Sequence, residues 1–236
     1  MTYGIMQPYF FPYLGYFSLI KHADRFIFFD TPQYIEHGWV NRNRILKQDG
    51  TPVYMTVPIC KAPRETAIKD IQINGSDWKE KIFGQLTVYK RKAPHYTETV
   101  EFLRDLLQPE GETLSEMNIR TTEAVCERIG LERSFDTFSK MELAIDPVEE
   151  PDEWALNIVR ALHGDAYVNP PGGMDFFHAE KYRDAGIDLQ FLKSNLPAYI
   201  QRIGHFEPGL SVVDAMMFCS PQEISEMLDD YRILRK

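Results

Sequence analysis

The chain has 236 residues, 44% of them hydrophobic and 26% charged, which is the composition of a globular protein rather than a disordered or fibrous one. A formal charge of −9 argues against a nucleic-acid partner, since phosphate binding needs massed Lys and Arg, and Lys90-Arg91-Lys92 is left as a local basic patch. There is no apolar run of membrane-helix length and no signal-peptide pattern, and Cys60, Cys126 and Cys219 do not form a disulfide framework, so a cytoplasmic protein with no membrane insertion is expected.

Thr2–Met6 predicts a short first strand. Behind it, six aromatic rings fall within nine residues, from Tyr9 to Phe17, interrupted by Pro12 and preceded by Pro8. Proline supplies no backbone N–H, so this run is expected as a stiff loop leading into a helix that starts near Leu14. A rigid aromatic loop at a strand end suits a flat or sugar-like ligand, and Gln7, Tyr9, Phe10, Tyr13 and Tyr16 are its candidate contacts. An aromatic core corner would account for the same run. Residues 23–30 read as a turn and a second buried strand, with Asp30 at its C-terminal end. Strand, loop, helix and strand within thirty residues open a parallel crossover unit, and ligands bind at the C-terminal edge of such sheets. Gln33 shares that edge with Asp30.

A polar loop follows, carrying His37 and Trp39, and then Asn41, Arg42, Asn43 and Arg44 in succession. Arginine forks grip carboxylates and phosphates, and asparagine amides both donate and accept. On a strand the two asparagines share one face and the two arginines the other; on a helix all four fan out. An exposed polar connector is the alternative to anion or nucleotide recognition. Asp30 and His37 are the candidate bases for transfer to an amine, His37 because imidazole titrates near neutrality.

Residues 53–59 and 68–73 alternate as strands, the second ended by Asn74-Gly75. Ser76 or Asp77 then caps a helix over residues 78–89. Tyr89, Lys92 and His95 form a further candidate binding group at its end. Residues 96–128 carry two apolar helical stripes, and residues 135–141 suggest a short strand. After an acidic, proline-rich connector over 147–152 come a helix over 154–163, a strand over 166–168 and the turn Asn169-Pro170-Pro171-Gly172-Gly173, whose amides could meet an oxyanion. A helix over 175–184, a strand over 187–192 and helices over 210–218 and 221–234 complete the chain. Asp214 lies in the apolar stripe of the first of these last helices. It needs an internal partner, or else serves as the third helical residue of a capping box begun by Ser211. One continuous fold is expected, with an α/β half over 1–95 and a helical insertion at about 96–130 as a subdivision.

The six histidines lack metal-ligand spacing, so no metal site is expected, and neither a phosphate-binding glycine loop nor a Gly-x-Ser-x-Gly elbow is present. The sequence names no cofactor.

The run from Met6 to Phe17, then Ala23-Asp24, residues 29–34, residues 38–45, Tyr89-Lys90-Arg91-Lys92-Ala93-Pro94, Gly172-Gly173 and the segment from Phe206 to Asp214 resemble the WbqC-like family. The loop departs from the family pattern at Thr31, where an acidic residue is usual, and around His37, where a basic one is usual. The resemblance implies a place in O-antigen or other surface-glycan biosynthesis, as a transferase that modifies a nucleotide-linked amino sugar by N-acylation or aminoacylation. A non-catalytic binder of nucleotide sugars or of a partner is the alternative, and a homo-oligomer is compatible with either. The alternation of strands and helices predicts α/β architecture, a Rossmann-like, mostly parallel sheet flanked by helices with a helix-rich middle and C-terminal portion. The layout is also similar to the opening of the nucleotidyltransferase superfamily, which implies a nucleotidyltransferase-type enzyme as a further alternative. Where that superfamily holds a triphosphate with two histidines, this chain has Tyr13-Leu14-Gly15-Tyr16. Tyrosine, with an ordinary pKa near ~10, brings no positive charge there.

Overall fold

A computed structural model describes all residues except Ser76 and Pro109. The first strand, β1 (Thr2–Met6), leads through the aromatic loop into α1 (Leu14–His22) and β2 (Arg25–Phe28). A separate antiparallel hairpin follows, β3 (Arg42–Leu46) with β4 (Pro52–Thr56), then α2 (Trp78–Leu86), α3 (Tyr96–Leu106) and α4 (Leu114–Arg128). The main sheet resumes with β5 (Ser134–Thr137), α5 (Glu153–Ala161), β6 (Ala166–Asn169), α6 (Ala179–Asp184) and β7 (Asp188–Ser194). Helices α7 (Val212–Phe218) and α8 (Pro221–Met227) precede the last strand, β8 (Tyr231–Leu234).

The sheet runs in the order β5-β2-β1-β6-β7-β8. Its first five strands are parallel, and β8 closes the edge antiparallel to β7. This is the α/β, mostly parallel architecture expected from the sequence. Because the central strands are buried on both faces, alternate residues enter two cores. Phe26, Phe28 and Val168 join the core beneath α1, α4 and α7, whereas Tyr3, Ile5, Ile27 and Tyr167 join the one beneath α5 and α6. A side chain at Gly4 would approach Leu19 to 2.8 Å and Phe26 to 2.9 Å, so the bare backbone lets α1 lie against β1.

Four local expectations are corrected. Residues 68–73 do not form a strand: Ile68–Asp70 is a 3-10 turn, and Ile68 and Ile71 enter the core together at a spacing of three. The final helix stops at Met227, because Asp229 and Asp230 oppose its C-terminal dipole, and Tyr231 and Ile233 then alternate with exposed Arg232 as β8. The helix expected over 175–184 is a 3-10 segment, Pro171–Phe176, and the shorter α6, separated by extended Phe177. The strand expected over 135–141 ends at Thr137, with a 3-10 turn at Phe138–Lys140. Of the two caps considered for α2, Ser76 lies outside the described residues and Asp77 makes no side-chain cap bond. The Asn41–Arg44 cluster falls on a strand, in β3 and the residue before it.

Candidate functional site at the strand crossover point

The chain leaves β1 towards β2 on one side of the sheet and leaves β6 towards β7 on the other. Connections that diverge in this way open a crevice beyond the carboxyl ends of the two strands. A cleft of about 670 Å³ lies there, lined by Ile5, Met6 and Gln7 from β1 and its loop and by Tyr167 and Asn169 from β6.

The near wall is the aromatic loop, whose conformation is set by side chains from elsewhere. Asn43 donates its Nδ2 to the carbonyls of Phe10 (3.1 Å) and Phe11 (2.8 Å), and its Oδ1 accepts the Arg44 N–H at 2.8 Å. Ser211 Oγ donates to the Phe11 carbonyl at 2.8 Å, and Asn118 Nδ2 donates to Pro8 (2.9 Å) and Val40 (2.7 Å). These bonds hold Phe11 at φ +39°, a left-handed conformation that costs a non-glycine residue about 1–3 kcal/mol. Phe10 and Tyr16 are core residues, and the Tyr16 hydroxyl donates to the Gln7 carbonyl at 2.9 Å. Gln7, Tyr9 and Tyr13 line the cleft. Burial raises the pKa of the Tyr9 and Tyr13 phenols, so both are neutral at physiological pH and serve as hydrogen-bonding groups.

Trp39, Asn43 and Arg44 also reach the cleft. The Arg44 guanidinium lies 5.9 Å from the Trp39 ring centroid and makes one long contact, 3.4 Å, to the Gly209 carbonyl. Its Nε is buried with no hydrogen-bond partner, and no carboxylate pairs with it among the described residues. Arg42 turns elsewhere: it stacks 4.3 Å over Tyr54 and donates to the His37 and Gly38 carbonyls. Asn41 donates to the Val57 carbonyl at 3.0 Å.

The remaining candidates lie away from this cleft. Asp30 is buried, and its two oxygens accept from the Ser139 N–H (3.0 Å) and Oγ (2.6 Å). His37 is exposed at φ +65°, and Gln33 is exposed where it bridges to Ala67. The Tyr89 hydroxyl donates to Asp214 at 2.6 Å and accepts the Leu46 N–H at 2.8 Å. His95 pairs with Glu98 at 2.6 Å, and half-buried Lys92 lies beside it in sequence. Asp214 itself is fully buried and takes bonds from Tyr89, Tyr199 (2.6 Å) and Gln201 (2.9 Å). Ser211 does cap α7, through the Val213 N–H, while the Asp214 carboxylate serves this three-donor knot rather than a capping box.

The far wall belongs to residues that periodicity does not mark as functional. Trp154 opens α5, Phe176 and Phe177 follow the Gly172-Gly173 turn, and Tyr167 and Asn169 end β6. The only advance signal among them is that turn. Beside this wall the structure gathers Glu150, Asp152 and His178, with possible ligand atoms within 4.8 Å of one another. Lys181 sits among these carboxylates, 2.6 Å from Glu150 and 2.7 Å from Glu153, and places one positive charge inside the cluster. The Lys181 ammonium and two backbone N–H groups hold the Glu153 pKa down at about 2.

No Asp, Glu, His, Lys or Cys lines the cleft among the described residues. Fold and cavity together define an α/β protein with an aromatic cleft at a strand crossover point, in which Arg44 is the one cationic side chain among the described residues. The WbqC-like protein family matches residues 7–226, and the chain belongs to that family. An uncharacterized protein of Mycobacterium tuberculosis (strain ATCC 25618 / H37Rv), Rv1507c, is 28% identical over 216 residues, covering 90% of this chain and 91% of the relative. No solved structure matches the chain. Among the described residues, no helix is long and apolar enough to cross a membrane.

Proposed function

We propose that this protein binds a nucleotide-linked amino sugar in the cleft and acts as a transferase that modifies it, by N-acylation or aminoacylation, in surface-glycan biosynthesis. Arg44 carries the reading. A half-buried guanidinium with no carboxylate partner among the described residues, set among aromatic walls, suits a phosphate group attached to flat or sugar rings. Gln7 and Asn43 add uncharged polar groups around it, and no carboxylate among the described residues lines the cleft to repel an anion.

Asp30 is engaged by Ser139 and His37 is exposed outside the cleft, so neither serves as the base in this reading. The protein's contribution is to orient a neutral substrate amine and exclude water, the part of catalysis that positioning supplies. The same lack of a titrating side chain favours a second reading, a nucleotide-sugar binding protein without turnover. Nucleotidyl transfer is the least supported, since Tyr16 is a core residue and Arg44 is the single cation lining the cleft among the described residues.

A thermal-shift screen against nucleotide sugars, with mass spectrometry of any hit incubated with acyl donors, separates these readings. Stabilisation of the wild type, lost in Arg44→Met, is expected. The affinity loss should be roughly tenfold to a hundredfold, the scale of a charge-assisted hydrogen bond. An acylated product establishes the transferase; binding without product under any donor leaves the binding protein. Equal stabilisation of wild type and Arg44→Met overturns both.

A further inference from the structure

Among the described residues, the far half of the cleft carries no charged side chain and has its own polar group, the Asn169 carboxamide at the end of β6. Its Oδ1 accepts the Tyr167 hydroxyl at 3.0 Å, and its Nδ2 donates to the Pro170 carbonyl at 3.0 Å. A carbonyl only accepts, so the second bond fixes which end of the amide is nitrogen. A carboxamide has two N–H donors and two acceptor lone pairs. Asn169 therefore retains one donor and one acceptor in the plane of its amide, in a residue that lines the cleft.

Two further features bear on what meets that edge. A Cβ on Gly173 would stand 2.9 Å from Asn169 Nδ2 and 2.8 Å from Phe176 Cε1, so the missing side chain leaves room for the amide and the ring to lie together. Trp154 is 37% exposed and Phe176 51% exposed although both line the cleft, which leaves large flat apolar surface uncovered. Planar stacking surface beside a coplanar donor–acceptor pair matches a nucleobase, whose edge also presents donor and acceptor in one plane.

We infer that the β6 half of the cleft is a nucleobase subsite: the base lies against Trp154 and Phe176, its edge pairs with Asn169, and its phosphates point towards Arg44. This rests on the nucleotide-sugar reading above and extends it by placing the base. Asn169 is the residue that reads it.

Isothermal titration with UDP, dTDP, CDP, GDP, ADP, ribose 5-phosphate and inorganic pyrophosphate tests the assignment, with circular dichroism melting to show that each variant is folded. At least one nucleoside diphosphate should bind about tenfold or more tightly than either base-free phosphate, the scale of one base–aromatic stack. Asn169→Leu and, independently, Gly173→Ala should remove most of that advantage while leaving pyrophosphate affinity unchanged. The subsite is overturned if base-free and base-bearing phosphates bind alike, or if either folded variant keeps the full advantage. Should nucleotide sugars still bind in that case, the nucleotide-sugar reading survives without the subsite; should no phosphate ligand bind the wild type at all, both fall.

Discussion

Asn43 shows how one side chain can organise a site without being its chemistry. Two of its hydrogen bonds join the aromatic loop to the strand that carries Arg44 and a third takes the Arg44 N–H, in a position 3% exposed. Asn43→Leu strands the Phe10 carbonyl and the Arg44 N–H and leaves the Phe11 carbonyl with Ser211 Oγ alone, and a loss of about 3 kcal/mol is expected in urea unfolding. Asp214 gives a pH signature of its own. Burial raises its pKa above the ordinary carboxylate value, although bonds from Tyr199, Tyr89 and Gln201 pull it back. The folded state therefore holds the proton more tightly than the unfolded state. Its contribution to stability falls as pH rises from the ordinary carboxylate value through the raised folded value, and it is constant above. Asp214→Asn should flatten that part of the stability–pH curve. It should also lower stability at neutral pH by roughly 1–3 kcal/mol, because an amide N–H would face the Gln201 N–H. Unfolding midpoints measured across weakly acidic pH decide it.

At the scale of elements, the aromatic loop and α1 act as one piece. A Cβ on Gly15, in the first turn of α1, would lie 2.4 Å from Tyr13 Cε2, so the Tyr13 ring keeps its place at the cleft because Gly15 has no side chain. Gly15→Ala should preserve the helix, since alanine is the better helix former, while displacing the ring. An affinity loss for the proposed nucleotide-sugar ligand of about tenfold, worth ~1.4 kcal/mol, with unchanged circular dichroism, is the expected result of titration. The prolines and ring density of this loop were legible in the sequence because they are local. The three side chains that hold it, Asn43, Asn118 and Ser211, were not legible in that role. They come from separate elements, and nothing in the pattern around Asn118 distinguishes it from a surface residue of an amphipathic helix.

At the scale of the molecule, β8 and the β1–β6 junction decide the outcome. β8 covers the edge of β7, whose Phe191 and Leu192 are buried. Deleting residues 230–236 should expose that edge and produce concentration-dependent association and a lower melting temperature, read by light scattering and calorimetry. The sequence by itself determined the local grammar: a first strand, a proline-stiffened turn, a helix from Leu14, a buried second strand and an α/β alternation, all written in residues a few positions apart. Only the tertiary structure decided that Tyr3 pairs with Tyr167, which makes the crossover point and brings Asn169 into the same cleft as Arg44. It likewise turned Arg42 onto Tyr54 and spent the Asp30 carboxylate on Ser139. The physical reason is the same in each case. Periodicity and turn chemistry report a residue's neighbours along the chain, whereas a site depends on which strand ends lie side by side. That choice comes from burying both faces of the whole sheet at once.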